Sequence, residues 1–453
     1  MIRAELRATL RLALPMIVAQ LALFGQLVIE ALLAGHLDGD TLAAVALGAS
    51  VSFLGNMLCS GLMLAVPPTV AQLDGAGRRG EVAAVFRQGV LLALAAGSLL
   101  GCAMFWGGPL ILQAVGTTPE LTTDATAYLH RAAFSLPSVA LFFACRGISE
   151  GLSLPRPTMV ISAASLLLLL PLGYTLMYGA FGLSPGRAGG AGLAGSLICA
   201  LEAVAFVAWL RIGARYRGIG WAIGRFRPDW AALRGLLRIG VPMAFSLLME
   251  SALFSFAALS IARFGPVQVA SHQIALNVAG LAFMVPLGIA YAITVRVGRA
   301  VGRRDPAGIR RAGLVGFGLV LATQTLSSLL IFTLRWPIAR LYTTDPAVVA
   351  GAAALLLLAG VFQFADGIQV AANGALRGIK DARVPMLLTA IAYWGIGMPA
   401  GLYLAVGQGL AARGMWGGLI AGLSAAAVLL TARFARKSRH LISRGAPATV
   451  EVA

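Results

Sequence analysis

Twelve stretches of this 453-residue chain are long and apolar enough to cross a bilayer as helices, and no other feature constrains its fold as tightly. They fall at about residues 12 to 34, 42 to 66, 86 to 106, 126 to 148, 158 to 181, 190 to 210, 239 to 262, 269 to 295, 312 to 334, 348 to 375, 384 to 406 and 414 to 432. In hydrocarbon every backbone amide and carbonyl must be satisfied within the structure, which leaves helices for spans of this length. The expected architecture is therefore an all-α integral membrane protein. At 59% hydrophobic and 11% charged residues, with a mean hydropathy of +0.87, the composition lies outside the range of soluble domains.

An even number of spans leaves both termini on one side. Of the 35 Lys and Arg residues, 29 fall on that side; Arg131, Arg187, Arg263, Arg335, Arg340 and Arg413 fall on the other. Basic residues accumulate in cytoplasmic loops, so both termini are expected in the cytoplasm of a cell inner membrane. The net charge of +18 is then mostly topological, and nucleic acid is excluded as a partner. Cys59, Cys102, Cys145 and Cys199 lie in or beside apolar spans without C-x-x-C spacing, and read as packing residues. The first span is too long for a removable signal peptide.

The two halves resemble each other at a nearly constant offset. Leu14-Pro15-Met16 returns as Val241-Pro242-Met243, Gly77-Arg78-Arg79 as Gly302-Arg303-Arg304, Pro109 as Pro337, Thr117-Thr118-Pro119 as Thr344-Asp345-Pro346, and Pro171 with Gly179 as Pro399 with Gly407; the offsets lie between 225 and 228. A repeat of six spans enters the membrane from the same side each time, a plan used by transporters that rock two bundles around a substrate. The expected division is an N-lobe over 1–212, a cytoplasmic linker over 213–235, a C-lobe over 236–436 and a tail over 437–453. Between Arg211 and Arg238 the chain carries seven arginines with Trp221, Pro228 and Trp230, which suits a connector lying on anionic headgroups. The tail from Ser438 is expected to be disordered. Pro15, Pro67, Pro68, Pro137, Pro171, Pro242, Pro286 and Pro399 are candidate kinks or hinges.

Four acids lie within spans: Glu30, Glu202, Glu250 and Asp366. A carboxylate at membrane depth is costly unless it meets a wet cavity, an ion or a partner, so each is a functional candidate. Subtracting 227 from Glu250 gives Leu23, and from Asp366 gives Val139: the scaffold is duplicated and the acids are not. Glu250 and Asp366 belong to one half; facing one cavity, they could hold a monovalent cation such as Na⁺ through oxygen ligands, or take up and release protons. A cationic substrate competing for the same charge gives exchange without ATP, and no G-x-x-x-x-G-K-[ST] occurs. No other cofactor is implied. Gln273 with Asn277, and Gln363 with Gln369, are neutral helpers, although an interhelical hydrogen bond accounts for any one of them. Phe254, Phe256, Phe362, Phe364, Tyr393 and Trp394 could line a site for a planar lipophilic cation, and a plain core stripe accounts equally for any single one. Glu202 has no assigned role, and Arg146 with Glu150 reads as an i,i+4 pair or a gate lock. His36, His130, His272 and His440 show neither metal nor haem spacing, which argues against an enzyme.

Several stretches together resemble the multidrug and toxic compound extrusion (MATE) family, in its NorM-like branch. They are Ala34-Gly35 with Leu42-Ala-Ala-Val-Ala-Leu-Gly48, Val70-Ala-Gln-Leu73 with Gly75-Ala76-Gly77, Glu150-Gly151, Ser271-His-Gln-Ile-Ala-Leu-Asn277, Phe283-Met-Val-Pro286, Val295-Arg-Val-Gly298 and Gly374-Ala-Leu-Arg-Gly-Ile-Lys-Asp381. The resemblance implies two pseudo-symmetric six-helix bundles in a V, and drug export driven by Na⁺ or H⁺ entry. It places the family's C-lobe cation-site acids on Glu250 and Asp366, and its first-span aspartate on Glu30. The fifth-span asparagines of the family fall on Leu169 and Gly173, and its tenth-span tyrosine on Phe362. The implied partners are membrane lipid and a small cationic or amphipathic substrate, with the chain acting as a monomer. A flippase for lipid-linked saccharides is the alternative from the related superfamily, but its pyrophosphate substrate calls for a basic cavity and the mid-span charges here are acidic.

Overall fold

The computed structural model describes residues 2–443 apart from 117, 183 and 220–226. Every regular element among them is helical. Among the described residues eleven helices are long and apolar enough to cross a membrane, and a pair bent by 43° brings the number to twelve when it is counted as one span. In chain order these are α1 (Arg3–Leu37), α2 (Gly39–Gly75), α3 (Arg79–Ala114), α4 (Pro119–Ala132 with Ser135–Gly151), α5 (Arg156–Tyr178), α6 (Arg187–Ile212), α7 (Trp230–Ala262), α8 (Pro266–Gly302), α9 (Pro306–Tyr342), α10 (Pro346–Gly378), α11 (Arg383–Gly407) and α12 (Ala411–Leu441).

Local chemistry sets many of the helix starts. Asp38 Oδ1 accepts the Thr41 amide at 2.6 Å, Asp305 Oδ1 that of Gly308 at 2.8 Å and Asp345 Oδ1 that of Ala347 at 2.9 Å, satisfying donors that a first helical turn leaves open. Pro119, Pro266, Pro306 and Pro346 stand in first turns, where a missing amide hydrogen costs nothing. Pro15, Pro171, Pro242 and Pro286 lie inside continuous helices, while Pro67 and Pro68 open a new segment within α2. Pro137 explains the break in α4. It has no amide to give the carbonyl of Ala133, which instead accepts from Leu136 at 3.4 Å. Gly97 and Gly101 of α3 let the bend approach: a Cβ on Gly97 would lie 2.5 Å from Pro137 Cα, and one on Gly101 2.8 Å from the Ala133 oxygen.

The chain divides into two compact units. One is Leu21–Ala244; the other combines the chain up to Gln20 with everything described from Phe245 onward. The boundaries therefore fall inside α1 and α7, whereas the sequence places them in the 213–235 linker. In the second unit the start of α1 is held by Glu5, which accepts from Arg296 of α8, and by Gly288, whose bare face meets Ile17. In the first unit the start of α7 packs on α2, where a Cβ on Gly61 would stand 2.5 Å from Ala244 Cα.

The internal repeat survives in backbone detail. Gly77 (φ +76°) and Arg304 (φ +56°) are both left-handed, as are Ser153 (φ +63°) and Lys380 (φ +58°), and each pair is separated by 227 residues. Each closes its helix with the same long bond from the following amide: Arg78 to Leu73 O at 2.9 Å, Asp305 to Ala300 O at 3.0 Å, Leu154 to Ser149 O at 2.9 Å and Asp381 to Leu376 O at 3.0 Å. This register corrects one sequence match. Gly302-Arg303-Arg304 corresponds to Gly75-Ala76-Gly77, because the left-handed cap position, and not the Gly-Arg-Arg string, is what the fold repeats.

Parts of the linker are tied to the first unit: the Tyr216 hydroxyl lies 2.7 Å from Ser149 Oγ, and Gln88 donates to Arg227 O at 3.0 Å while accepting from the Asp229 amide at 3.1 Å. Trp221 lies outside the described residues. The tail is not irregular from Ser438, since the last helix continues to Ser443. Asp381 anchors its charged turns by accepting from Arg433 Nε at 2.8 Å, with Lys437 Nζ at 3.9 Å.

Candidate functional site

The unit containing α8 to α12 holds the strongest constellation. Asp366 is 3% exposed, and its Oδ1 has no hydrogen-bond partner among the described residues. Buried acceptors are almost always satisfied, so an orphaned carboxylate oxygen calls for an explanation. Glu250, half-buried on α7, lies within electrostatic reach of Asp366, and Tyr393 of α11 lies within reach of both. The structure thus brings together the two acids that the sequence singled out.

The neutral groups around Asp366 are paired through their amide nitrogens, while Gln324 Oε1 and Gln369 Oε1 are buried without a hydrogen-bond partner among the described residues. Gln324 Nε2 of α9 donates to Gln363 Oε1 at 2.7 Å and to Gln363 O at 2.9 Å, and Gln363 Nε2 donates to Ala279 O at 3.3 Å. Gln369 Nε2 donates to Tyr393 Oη at 2.7 Å. Tyr393 is held inside the bundle by a π-helical turn, Ile391–Gly397, ahead of Pro399. Such widened turns relieve the hydrogen bonding that a proline interrupts. Gln324 was not singled out from the sequence; an amide and Ser328 four residues apart in an apolar span were the available signal.

The expected substrate-lining rings form a wall packed into the core. Phe254 meets Phe362 edge to face at 6.1 Å, Phe362 meets Trp416 at 5.6 Å, and Trp416 Nε1 donates to His272 Nδ1 at 3.1 Å. Phe362 and Tyr393 are fully buried and Phe254 is half-buried against the same cluster. Gln273 and Asn277 share one exposed face of α8, because Ile274, Ala275 and Ala279 occupy its inward face. No group of three or more His, Cys, Asp or Glu able to hold a metal occurs among the described residues, so a cation at Glu250 and Asp366 would draw its other ligands from neutral oxygens.

The other unit holds the remaining two acids. Glu30 of α1 lies within electrostatic reach of the Tyr128 hydroxyl of α4, and its Oε1 is buried without a hydrogen-bond partner among the described residues. Glu202 of α6 accepts from Gln26 Nε2 of α1 at 3.1 Å. Cys199 lies within electrostatic reach of both carboxyls, so Glu202 belongs to the neighbourhood of Glu30. Gln26 and Glu30 are four residues apart on α1, a spacing the sequence displayed but which gained meaning only once α6 was placed beside it. Leu169 and Gly173 are buried and apolar; a Cβ on Gly173 would stand 2.7 Å from Leu33 Cδ1. Arg146 Nε donates to Glu150 Oε1 at 2.7 Å, with both side chains almost wholly buried.

Comparison with known proteins agrees with this architecture. The MatE family model matches twice, over residues 15–175 and 242–402, the same 227-residue displacement seen in the backbone. The chain is 42% identical over 98% of its length to a protein named "Probable multidrug resistance protein NorM" from Xanthomonas campestris pv. campestris, covering 97% of that protein. It is 39% identical over 97% of its length to "Multidrug resistance protein PmpM" from Pseudomonas aeruginosa, covering 93% of it. Among solved structures, the eukaryotic MATE transporter AtDTX14 superposes with a TM-score of 0.88 at 20% identity, covering 98% of this chain and 99% of that one. A MOP superfamily transporter from Pyrococcus furiosus does so with a TM-score of 0.89 at 21% identity, covering 97% of each. With twelve spans, a doubled family match and close relatives along nearly its whole length, the chain belongs to the MatE family of multi-pass membrane transporters.

Proposed function

We propose that this protein is a secondary active multidrug efflux transporter that exchanges organic cations or other amphipathic xenobiotics for Na⁺ or H⁺. The observation that carries the reading is the orphaned oxygen of buried Asp366 within electrostatic reach of Glu250. Two carboxyls in a low-dielectric bundle repel each other and lack solvation, so neutralising them with a proton or a small cation is strongly favoured. An arriving cationic substrate and the coupling ion then compete for one negative charge. Release of one when the other binds is antiport.

Glu250 and Asp366 act as the coupling pair in this reading, and Glu30 is a second acid in the other unit. Phe254, Phe362 and Tyr393 form the wall that keeps the pair dry. The six-plus-six division into lobes, the cytoplasmic position of both termini, the inner-membrane location and action as a monomer belong to the same proposal. The distribution of 29 of 35 basic residues to one side supports the orientation. The names carried by relatives at 39–42% identity support drug efflux over saccharide flipping.

The test uses reconstituted vesicles loaded with a fluorescent organic cation and exposed separately to Na⁺ and pH jumps. One of the two gradients should drive dye movement, and Glu250→Gln should abolish it while leaving expression normal. Full activity of Glu250→Gln vesicles would remove the carboxylate mechanism.

A further inference from the structure

The ends of α1, α8 and α9 enclose a cavity of about 310 Å³ whose charged lining is Glu5, Arg296, Arg299, Arg303, Asp305 and Arg311. It lies wholly within one compact unit, at the side of the membrane that carries most of the basic residues. Four guanidinium groups face two carboxylates there, leaving a net charge of about +2 at neutral pH, where Arg is always protonated. Arg296, Arg299 and Arg303 follow one another at helical spacing along the end of α8, so they present one basic face.

The corresponding corner of the other repeat shows that this excess is no part of the scaffold. At the 227-residue register fixed by the left-handed caps, Arg296, Arg299, Arg303 and Arg311 fall on Thr69, Gln72, Ala76 and Ala84. The two arginines at that first corner are matched by two acids, Arg78 with Glu81 and Arg79 with Asp74. At the second corner Glu5 pairs with Arg296, and Asp305 pairs with Arg311 at 3.4 Å while capping α9. The fold can therefore close this corner without a basic excess, and here it has gathered four arginines around a cavity.

We propose that the corner is a binding site for a phosphate-bearing anion, supplied by the headgroup of an anionic phospholipid. Guanidinium forks match phosphate oxygens in pairs, and the volume lies at the lower end of the roughly 300–1,000 Å³ found for small-ligand sites. Basic pockets between the cytoplasmic ends of membrane helices suit such headgroups. The arginines of α8 and α9 would hold the phosphate, beside the Glu5–Arg296 pair that already joins α1 to α8.

The experiment titrates purified full-length protein in detergent with phosphatidylglycerol, with phosphatidylcholine and with inorganic phosphate, and reads the thermal midpoint. Phosphatidylglycerol should raise it saturably and phosphatidylcholine should not. In Arg299→Gln/Arg303→Gln the apparent affinity should fall by roughly 10- to 30-fold, at about fivefold per arginine, while Arg78→Gln/Arg79→Gln leaves it unchanged. Should the double variant fail to fold, exposed Arg303→Gln alone should lose about fivefold. An arginine-dependent response to inorganic phosphate alone would uphold the phosphate site and assign it a soluble ligand. Equal responses to the two lipids, or equal losses in the two double variants, would overturn the proposal.

Discussion

Replacing Asp366 by asparagine separates a coupling carboxyl from a structural one. The side chain is 3% exposed, so the amide enters the same space with nearly the same volume and no charge. Around it Gln324 bonds to Gln363 and Gln369 to Tyr393, pairs that do not draw on position 366, while Gln324 Oε1 and Gln369 Oε1 have no hydrogen-bond partner among the described residues. Packing should therefore persist. Removing one member of a buried charge pair costs about 3–5 kcal/mol, so a cation bound by Asp366 should lose between roughly a hundredfold and a few thousandfold in affinity. Stability should move the other way. Without its ion, the native state of the wild type buries a carboxyl whose Oδ1 is unsatisfied, and the amide removes that desolvation cost. Asp366→Asn should thus hold or raise the thermal midpoint measured without coupling ion, and abolish the rise that Na⁺ or acidification gives the wild type. Gradient-driven dye efflux from vesicles should fall to background. Efflux within threefold of wild type would refute the reasoning, and so would a loss of efflux accompanied by a lower midpoint, which would make Asp366 a structural residue.

Other perturbations test the scaffold. At Lys380 a side chain is held at φ +58°, a conformation costing roughly 1 kcal/mol for a non-glycine residue, and burial pushes its ammonium down to about 8. Between that value and the ordinary 10.5 the unfolded chain holds more protons than the native one, so wild-type stability should rise with pH across this window. Lys380→Gly should be more stable, with the gain largest below pH 8 and shrinking to the backbone contribution at higher pH; a pH-independent difference in thermal midpoint would contradict the buried ammonium. At Gly418 a Cβ would collide with the Gly401 backbone and stand 2.6 Å from Gly397 O, so Gly418→Ala should cost at least about 1–3 kcal/mol by forcing α11 and α12 apart. Gly318→Ala, with nothing within 4 Å, should be neutral or slightly stabilising in the same melting assay. Glu202→Gln should keep the Gln26 contact and the stability, whereas Glu202→Leu should lower stability by about 1–3 kcal/mol through an unpaired amide.

The span count was legible because hydrocarbon imposes one crude demand, about twenty apolar residues, and twelve stretches meet it. Glu250 and Asp366 were legible for the complementary reason: charge in such a stretch is rare enough to stand out singly. Partner choice was not. Gln273 and Asn277 share a helix face, as their spacing requires, but periodicity cannot say which face turns inward, and the structure turns Ile274 and Ala275 inward instead. Tyr393 and Gln369 meet only because a π-helical turn shifts the register of α11, which no simple count of 3.6 residues per turn reproduces. The end of the last helix was not legible either: it runs on to Ser443, and just before Ser438 Asp381, more than fifty residues earlier, accepts from Arg433, with Lys437 Nζ at 3.9 Å.

The repeat sharpens the argument about chemistry, because it supplies an internal comparison at every position. The 227-residue register set by paired left-handed caps places Glu30 on Ala257 and Glu202 on Leu429, just as it places Glu250 on Leu23 and Asp366 on Val139. Ala257 is wholly buried in a hydrophobic core and Leu429 packs against it. Each half therefore folds with apolar residues where the other half carries acids. A bundle that closes without a carboxyl has no structural need of one, and a buried acid costs several kcal/mol to ionise. Glu202 has a neighbour to satisfy in Gln26, whereas Asp366 Oδ1 has no hydrogen-bond partner among the described residues, which favours a bound ion or proton at Asp366. Arg146 differs from the mid-span acids in having an opposite charge one helical turn away on its own helix, its Nε donating to Glu150 Oε1 at 2.7 Å. The asymmetry between two halves of one scaffold, more than the presence of any single acid, is what supports the proposed coupling role of Glu250 and Asp366.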